Sequence, residues 1–115
     1  MIVYGIKNCN TVISAIDWFN RNEVEFQFHD YKKLGITEAK LKDWCRQVGW
    51  ENLINKRGTT WRQLEEVAQN KVVNEKSAIA LMIEKTSVIK RPLIEKNGKV
   101  LLLGFDEAGY KKVLI

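Results

Sequence analysis

The chain has 115 residues, 45% of them hydrophobic, enough for one domain with a buried core and no covalent staples. Two cysteines and one histidine are too few for the usual four-ligand Cys/His zinc site, and no stretch of about 18 apolar residues offers a membrane span. The net charge of +5 comes from lysines and arginines that stand singly or in pairs, such as Lys32-Lys33 and Lys90-Arg91, so a mixed-charge surface that prefers small anions is expected, with no direct nucleic-acid binding.

No basic segment followed by a long apolar run opens the chain, so an unprocessed protein with two reduced thiols is expected, in the cytoplasm. Residues 2–6 read as a strand that runs into the polar turn Lys7-Asn8-Cys9-Asn10-Thr11. A helix follows, with Val12, Ala15, Ile16 and Phe19 at the i, i+3, i+4, i+7 spacing of one buried face. A structural cysteine is usually found on an apolar face, whereas Cys9 lies between polar residues at a strand-to-helix turn. A thiolate there meets unpaired amides and the positive end of the helix dipole, which lower a thiol pKa from near 8.5 into the region of roughly 4–7. The same amides can hold an anionic group of a substrate.

Val24, Phe26 and Phe28 then alternate with Glu25, Gln27 and His29, the pattern of a half-buried strand with His29 on its polar side. Strand, helix and strand in this order most simply give a parallel pair. Residues 30–35 read as a loop, and Leu41, Trp44, Cys45 and Val48 as a helix stripe stopped by Gly49, which makes Cys45 a small core hydrophobe. Thr60-Trp61-Arg62-Gln63 matches a capping box for a helix over about residues 61–68, and Asn74 can cap another with Ala78, Ile79, Met82 and Ile83 inward. Asn97-Gly98 is a strong hairpin signal between arms 93–96 and 99–103. Asp106 caps a last helix over 107–114 that turns Tyr110, Val113 and Leu114 inward.

The order β-α-β, helices, β-β-α is that of an α/β thioredoxin-like fold. It predicts a four-stranded mixed sheet in a single domain, 1–115, with a helical insertion at about 37–84. Pro92, the lone proline, begins the third strand, where in this fold a proline is commonly cis and faces the active thiol. Five segments in order, YGIKNCNT, DYKK, GWENLINKRGTTWR, IKRP and GF, then carry a resemblance to the arsenate reductase (ArsC-like) family, and most closely to its Spx/YffB-like branch.

The resemblance makes Cys9 the catalytic nucleophile and Arg57 and Arg91 the cations of an anion site. Guanidinium groups suit both the stabilisation of a thiolate and the grip on a carboxylate. Asn8, Asn10, Thr11 and Pro92 complete the expected substrate- or glutathione-binding set, with no metal and no bound cofactor. The arsenate reductases proper carry a third arginine after the hairpin and a proline in the cysteine loop; this chain has Leu103-Gly104-Phe105-Asp106 and no such proline. Spx-like regulators commonly present C-x-x-C at the turn, and here Cys9-Asn10-Thr11-Val12 holds one thiol. The expectation is therefore a glutathione-dependent monothiol oxidoreductase, with glutathione as co-substrate and glutaredoxin as a possible partner. The alternatives are an arsenate reductase of the glutathione/glutaredoxin type and an Spx-like transcription regulator that binds RNA polymerase.

Overall fold

In the computed structural model, which describes residues 1–115, the elements in chain order are β1 (Ile2–Gly5), α1 (Asn10–Arg21), β2 (Gln27–Asp30), α2 (Tyr31–Leu34), α3 (Glu38–Val48), α4 (Trp50–Leu53), α5 (Thr59–Arg62), α6 (Glu66–Asn70), α7 (Glu75–Glu84), β3 (Leu93–Lys96), β4 (Lys99–Leu103) and α8 (Glu107–Leu114). They fall into two units, one made of Met1–Leu34 with Arg91–Ile115 and the other of Gly35–Lys90. The second unit thus extends past both ends of the helical block expected at 37–84.

The first unit holds the four-stranded mixed sheet, in the order β2-β1-β3-β4. β1 and β2 are parallel, as the strand-helix-strand order predicts, and β3 runs antiparallel to both β1 and β4. Strand side chains alternate between faces, so register assigns each residue to one side. Val3 opposes Phe28 and Ile94, and this face packs with Trp18, Phe19 and Tyr110 into an aromatic core. Tyr4 opposes His29 and Leu93, and Ile2 opposes Glu95, so the other face carries the polar groups. Trp18 joins Val12, Ala15 and Phe19 as a buried residue of α1 while Ile16 stays half-buried. The indole meets Tyr110 edge-on at 5.4 Å, and its larger surface takes the place expected of Ile16.

Burial over residues 24–28 alternates as the sequence suggests, but the ladder begins only at Gln27, whose N–H donates to the Met1 carbonyl at 2.9 Å. Residues 31–34, expected as loop, form the helical turn α2, started by Asp30, which accepts the Lys32 N–H at 2.9 Å. At the hairpin Asn97 (φ 51°) and Gly98 (φ 79°) both take positive φ. Asp106 caps α8 by accepting the Gly109 N–H at 3.0 Å. Tyr110 is the buried residue of that helix, whereas Val113 is 46% exposed, because eight residues turn only one narrow stripe inward.

In the second unit α3 buries Leu41, Trp44 and Cys45, with Thr37 capping its start and Gly49 (φ 86°) ending it. The capping box expected at Thr60 does not form. Gly58 is the N-cap, and the chain leaves the helix after Arg62 and restarts at Glu66, because Glu65 is extended. One expected helix is therefore two short ones, tied by the Gln69 amide donating to the Trp61 carbonyl at 2.9 Å. Asn74 and Ser77 form a reciprocal cap on α7, which buries Ala78, Ile79 and Met82 and leaves Ile83 exposed.

Candidate functional site

Gly5 ends β1 where the chain must turn tightly into α1. A Cβ at this position would stand 2.8 Å from Val12 Cγ2, so a side chain is excluded unless the first turn of α1 shifts. The Cys9 N–H closes the turn onto the Ile6 carbonyl at 3.2 Å, and the Cys9 carbonyl accepts the Ile13 N–H at 2.9 Å as the first bond of the helix. Cys9 is thereby the N-cap residue of a twelve-residue helix, extended in backbone and half-buried. Its first turn contains no acidic residue to oppose a thiolate.

Burial pushes the Cys9 thiol up, but the sulfur faces the amides of Val12 and Thr11 and the Arg91 guanidinium, and together these hold it below its ordinary value. As a thiol, Cys9 makes no capping bond with the strict distance and angle of one; the effect belongs to the thiolate, which accepts from these donors. Asn8, Asn10 and Thr11 are exposed around it. Arg91 is half-buried and precedes Pro92 through a cis peptide bond. Pro92 is buried, and its carbonyl accepts the Gly104 N–H at 2.8 Å.

The GF segment explains how this corner is held. Gly104 takes φ 88°, its carbonyl accepts the Tyr110 hydroxyl at 2.6 Å, and Phe105 meets the Tyr110 ring edge-on at 4.9 Å. A residue in the left-handed region thus links the strand start that bears Arg91 to the last helix.

The structure brings Cys9, Thr11, Val12 and Arg91 together within the first unit. Arg57 belongs to the second unit, exposed on the segment between α4 and α5, where its N–H donates to Asn55 Oδ1 at 3.1 Å. Cys45 contrasts with Cys9. It is 5% exposed on α3, and burial together with the charge of Glu75 pushes its thiol up to about 11.

Sequence reading passed over three groups on the polar face of the sheet. Glu95 is the buried charged residue of the core, 3% exposed, and accepts the Tyr4 hydroxyl at 3.0 Å. Tyr31 is buried on α2 with its hydroxyl unpaired. Alternation in β3 puts Glu95 on the same side as Leu93, and the register with Ile2 and Tyr4 shows that this side is buried too.

A model of the ArsC family matches residues 4–113. An uncharacterised protein of Haemophilus influenzae is 41% identical over 109 residues, covering 95% of this chain and 94% of its own length. Among solved structures, the YFFB protein superposes with a TM-score of 0.91 at 39% identity, covering 99% of this chain and 98% of that one. An arsenate reductase (ArsC) related protein from Brucella melitensis gives 0.78 at 40% identity, with 96% and 91% covered. The arsenate reductase from Vibrio cholerae shares the fold, with a TM-score of 0.80 at 16% identity over 98% and 96% of the two chains.

Proposed function

This chain belongs to the ArsC family, and on that premise we propose that it is a glutathione-dependent monothiol oxidoreductase with Cys9 as its nucleophile. The observation that carries the reading is the Cys9 sulfur at the start of α1, facing two backbone amides and the Arg91 guanidinium. These groups favour the thiolate over the thiol without a separate base.

The Cys9 thiolate attacks one sulfur of a disulfide, a Cys9–sulfur bond forms, the old sulfur–sulfur bond breaks, and the other half leaves as a thiolate. A glutathione thiolate then attacks the mixed disulfide. It forms a new disulfide with the substrate half and returns Cys9 as thiolate; a second glutathione releases the reduced substrate and leaves oxidised glutathione. The substrate disulfide gains two electrons and the glutathione pair loses them. Arg91 and the amides of α1 stabilise sulfur anions that form or leave at Cys9 and attract glutathione carboxylates. The turn holds no second thiol, so the resolving thiol comes from outside it. The likeness of the NKRGTT segment makes Arg57 a candidate for a further anion contact, to be varied alongside.

The relative from Brucella melitensis is described as arsenate reductase related, which makes arsenate the competing substrate. Steady-state turnover of a small alkyl disulfide with glutathione is compared with turnover of arsenate with glutathione and glutaredoxin, in wild type, Cys9→Ser and Arg57→Ala. Cys9-dependent disulfide reduction exceeding arsenate reduction is expected. Efficient arsenate reduction with no disulfide activity would overturn the assignment.

A further inference from the structure

Beyond Cys9, Tyr4 of β1, His29 of β2, Tyr31 of α2 and Glu95 of β3 gather on the polar face of the sheet. Tyr4 and His29 rings lie 4.7 Å apart, Tyr4 and Tyr31 rings 6.2 Å, and His29 and Tyr31 rings 5.9 Å. Glu95 is buried among them and accepts the Tyr4 hydroxyl at 3.0 Å. The Tyr4 hydroxyl is a neutral donor, and a nearby cation offsets the removal of a carboxylate from water further than a neutral donor does. Arg91 stands four residues earlier in the chain, just before Pro92 and β3, and its charge and that of Glu95 act on the Tyr31 hydroxyl with opposite sign. Arg91 also reaches the Cys9 sulfur.

We infer that Glu95 is a positioning residue: its buried carboxylate holds the Arg91 guanidinium in place under Cys9, and it acts on the thiolate only through that cation. The inference rests on the proposed role of Arg91 and deepens it. During the cycle Cys9 spends part of its time as a neutral mixed disulfide and then offers Arg91 no charge. Glu95 keeps the cation where the departing thiolate will need it, so the site does not reorganise between half-reactions.

The sign of the effect separates this role from a direct field. A carboxylate acting directly on Cys9 would raise its pKa, and Glu95→Gln would lower it. Loss of a positioning group lets Arg91 drift and raises the Cys9 pKa. Below that pKa, alkylation then slows by about threefold per unit of rise, because the tenfold loss of thiolate is partly offset by higher nucleophilicity.

The test is a pH titration of Cys9 alkylation in wild type, Glu95→Gln, Arg91→Ala and the double variant. Glutamine keeps an oxygen for the Tyr4 hydroxyl, so only the charge is lost. The Cys9 pKa is expected to rise in both single variants, and the double variant is expected to match Arg91→Ala. An unchanged or lowered pKa in Glu95→Gln, or a Glu95 effect that survives without Arg91, would overturn the inference. No effect of Arg91→Ala would instead overturn the site on which it rests. A second measurement needs no change at Glu95: in Cys9→Ala, where no thiolate can restrain it, the Arg91 guanidinium should keep separate, slowly exchanging proton resonances. Their collapse to one averaged signal would contradict a hold by Glu95.

Discussion

At neutral pH the two thiols of this chain should differ in alkylation rate by at least about tenfold from acidity alone. Cys45 is pushed up to about 11 by burial and by Glu75, whereas Cys9 is held below the ordinary 9.0 by the Val12 and Thr11 amides and Arg91, against the effect of its own burial. The gap exceeds two units, so the thiolate fraction of Cys9 exceeds that of Cys45 by more than about 100-fold. A more acidic thiol is a weaker nucleophile, and a Brønsted slope of about 0.4–0.5 takes back roughly one factor of ten. The 5% exposure of Cys45 widens what remains. Iodoacetamide labelling of the native protein, quenched over time and mapped by peptide mass, reads the two rates in one sample. In concentrated urea, where helix start and core are both lost, the rates should converge. Labelling of native Cys45 as fast as Cys9 would refute the account of both environments.

The same burial makes stability depend on pH at the alkaline end. The folded pKa of Cys45 is raised, to about 11 from 9.0, so its contribution is fully present below about 9 and fades as pH rises through 11; wild type should lose about 2 kcal/mol more than Cys45→Ala over that window, read from urea midpoints, and equal slopes would contradict it. Tyr110→Phe removes the donor to the Gly104 carbonyl and should cost about 1–2 kcal/mol in thermal or urea unfolding, whereas no loss would mean the corner is held without it. Gly5→Ala puts a Cβ 2.8 Å from Val12 Cγ2, which should destabilise by about 1–3 kcal/mol and, by moving the Val12 amide, raise the Cys9 pKa. Val12→Ala in the same chain should restore part of both, and a failure to restore either would count against the steric explanation.

Local signals carried the elements that organise the fold. The strand-turn-helix at Cys9, the α3 stripe, the Asn97-Gly98 hairpin and the Asn74 and Asp106 caps are each set by neighbours within a few residues, and they were legible for that reason. The departures are places where tertiary packing decided. Trp18 displaced Ile16 from the inner face because Tyr110, ninety-two positions further on, offers an aromatic edge. The break between α5 and α6 follows from the extended backbone of Glu65, a residue with no turn preference of its own to announce it. For the site, the cysteine turn and the arginine before the proline were readable from YGIKNCNT and IKRP, and the structure brings Arg91 to the Cys9 sulfur. The buried Glu95 was harder to see, since a lone glutamate in a four-residue strand reads as solvent-facing until the register with Ile2 and the hydroxyl of Tyr4 are known.

The central claim is that Cys9 passes through a mixed disulfide which an external glutathione resolves. Native protein treated with oxidised glutathione, acid-quenched and analysed by intact and peptide mass, measures it directly. The account predicts one glutathione adduct, located on Cys9, absent from Cys9→Ser, and removed within the turnover time by reduced glutathione. An adduct on Cys45 alone, no adduct at all, or a Cys9 adduct that reduced glutathione leaves in place would contradict it.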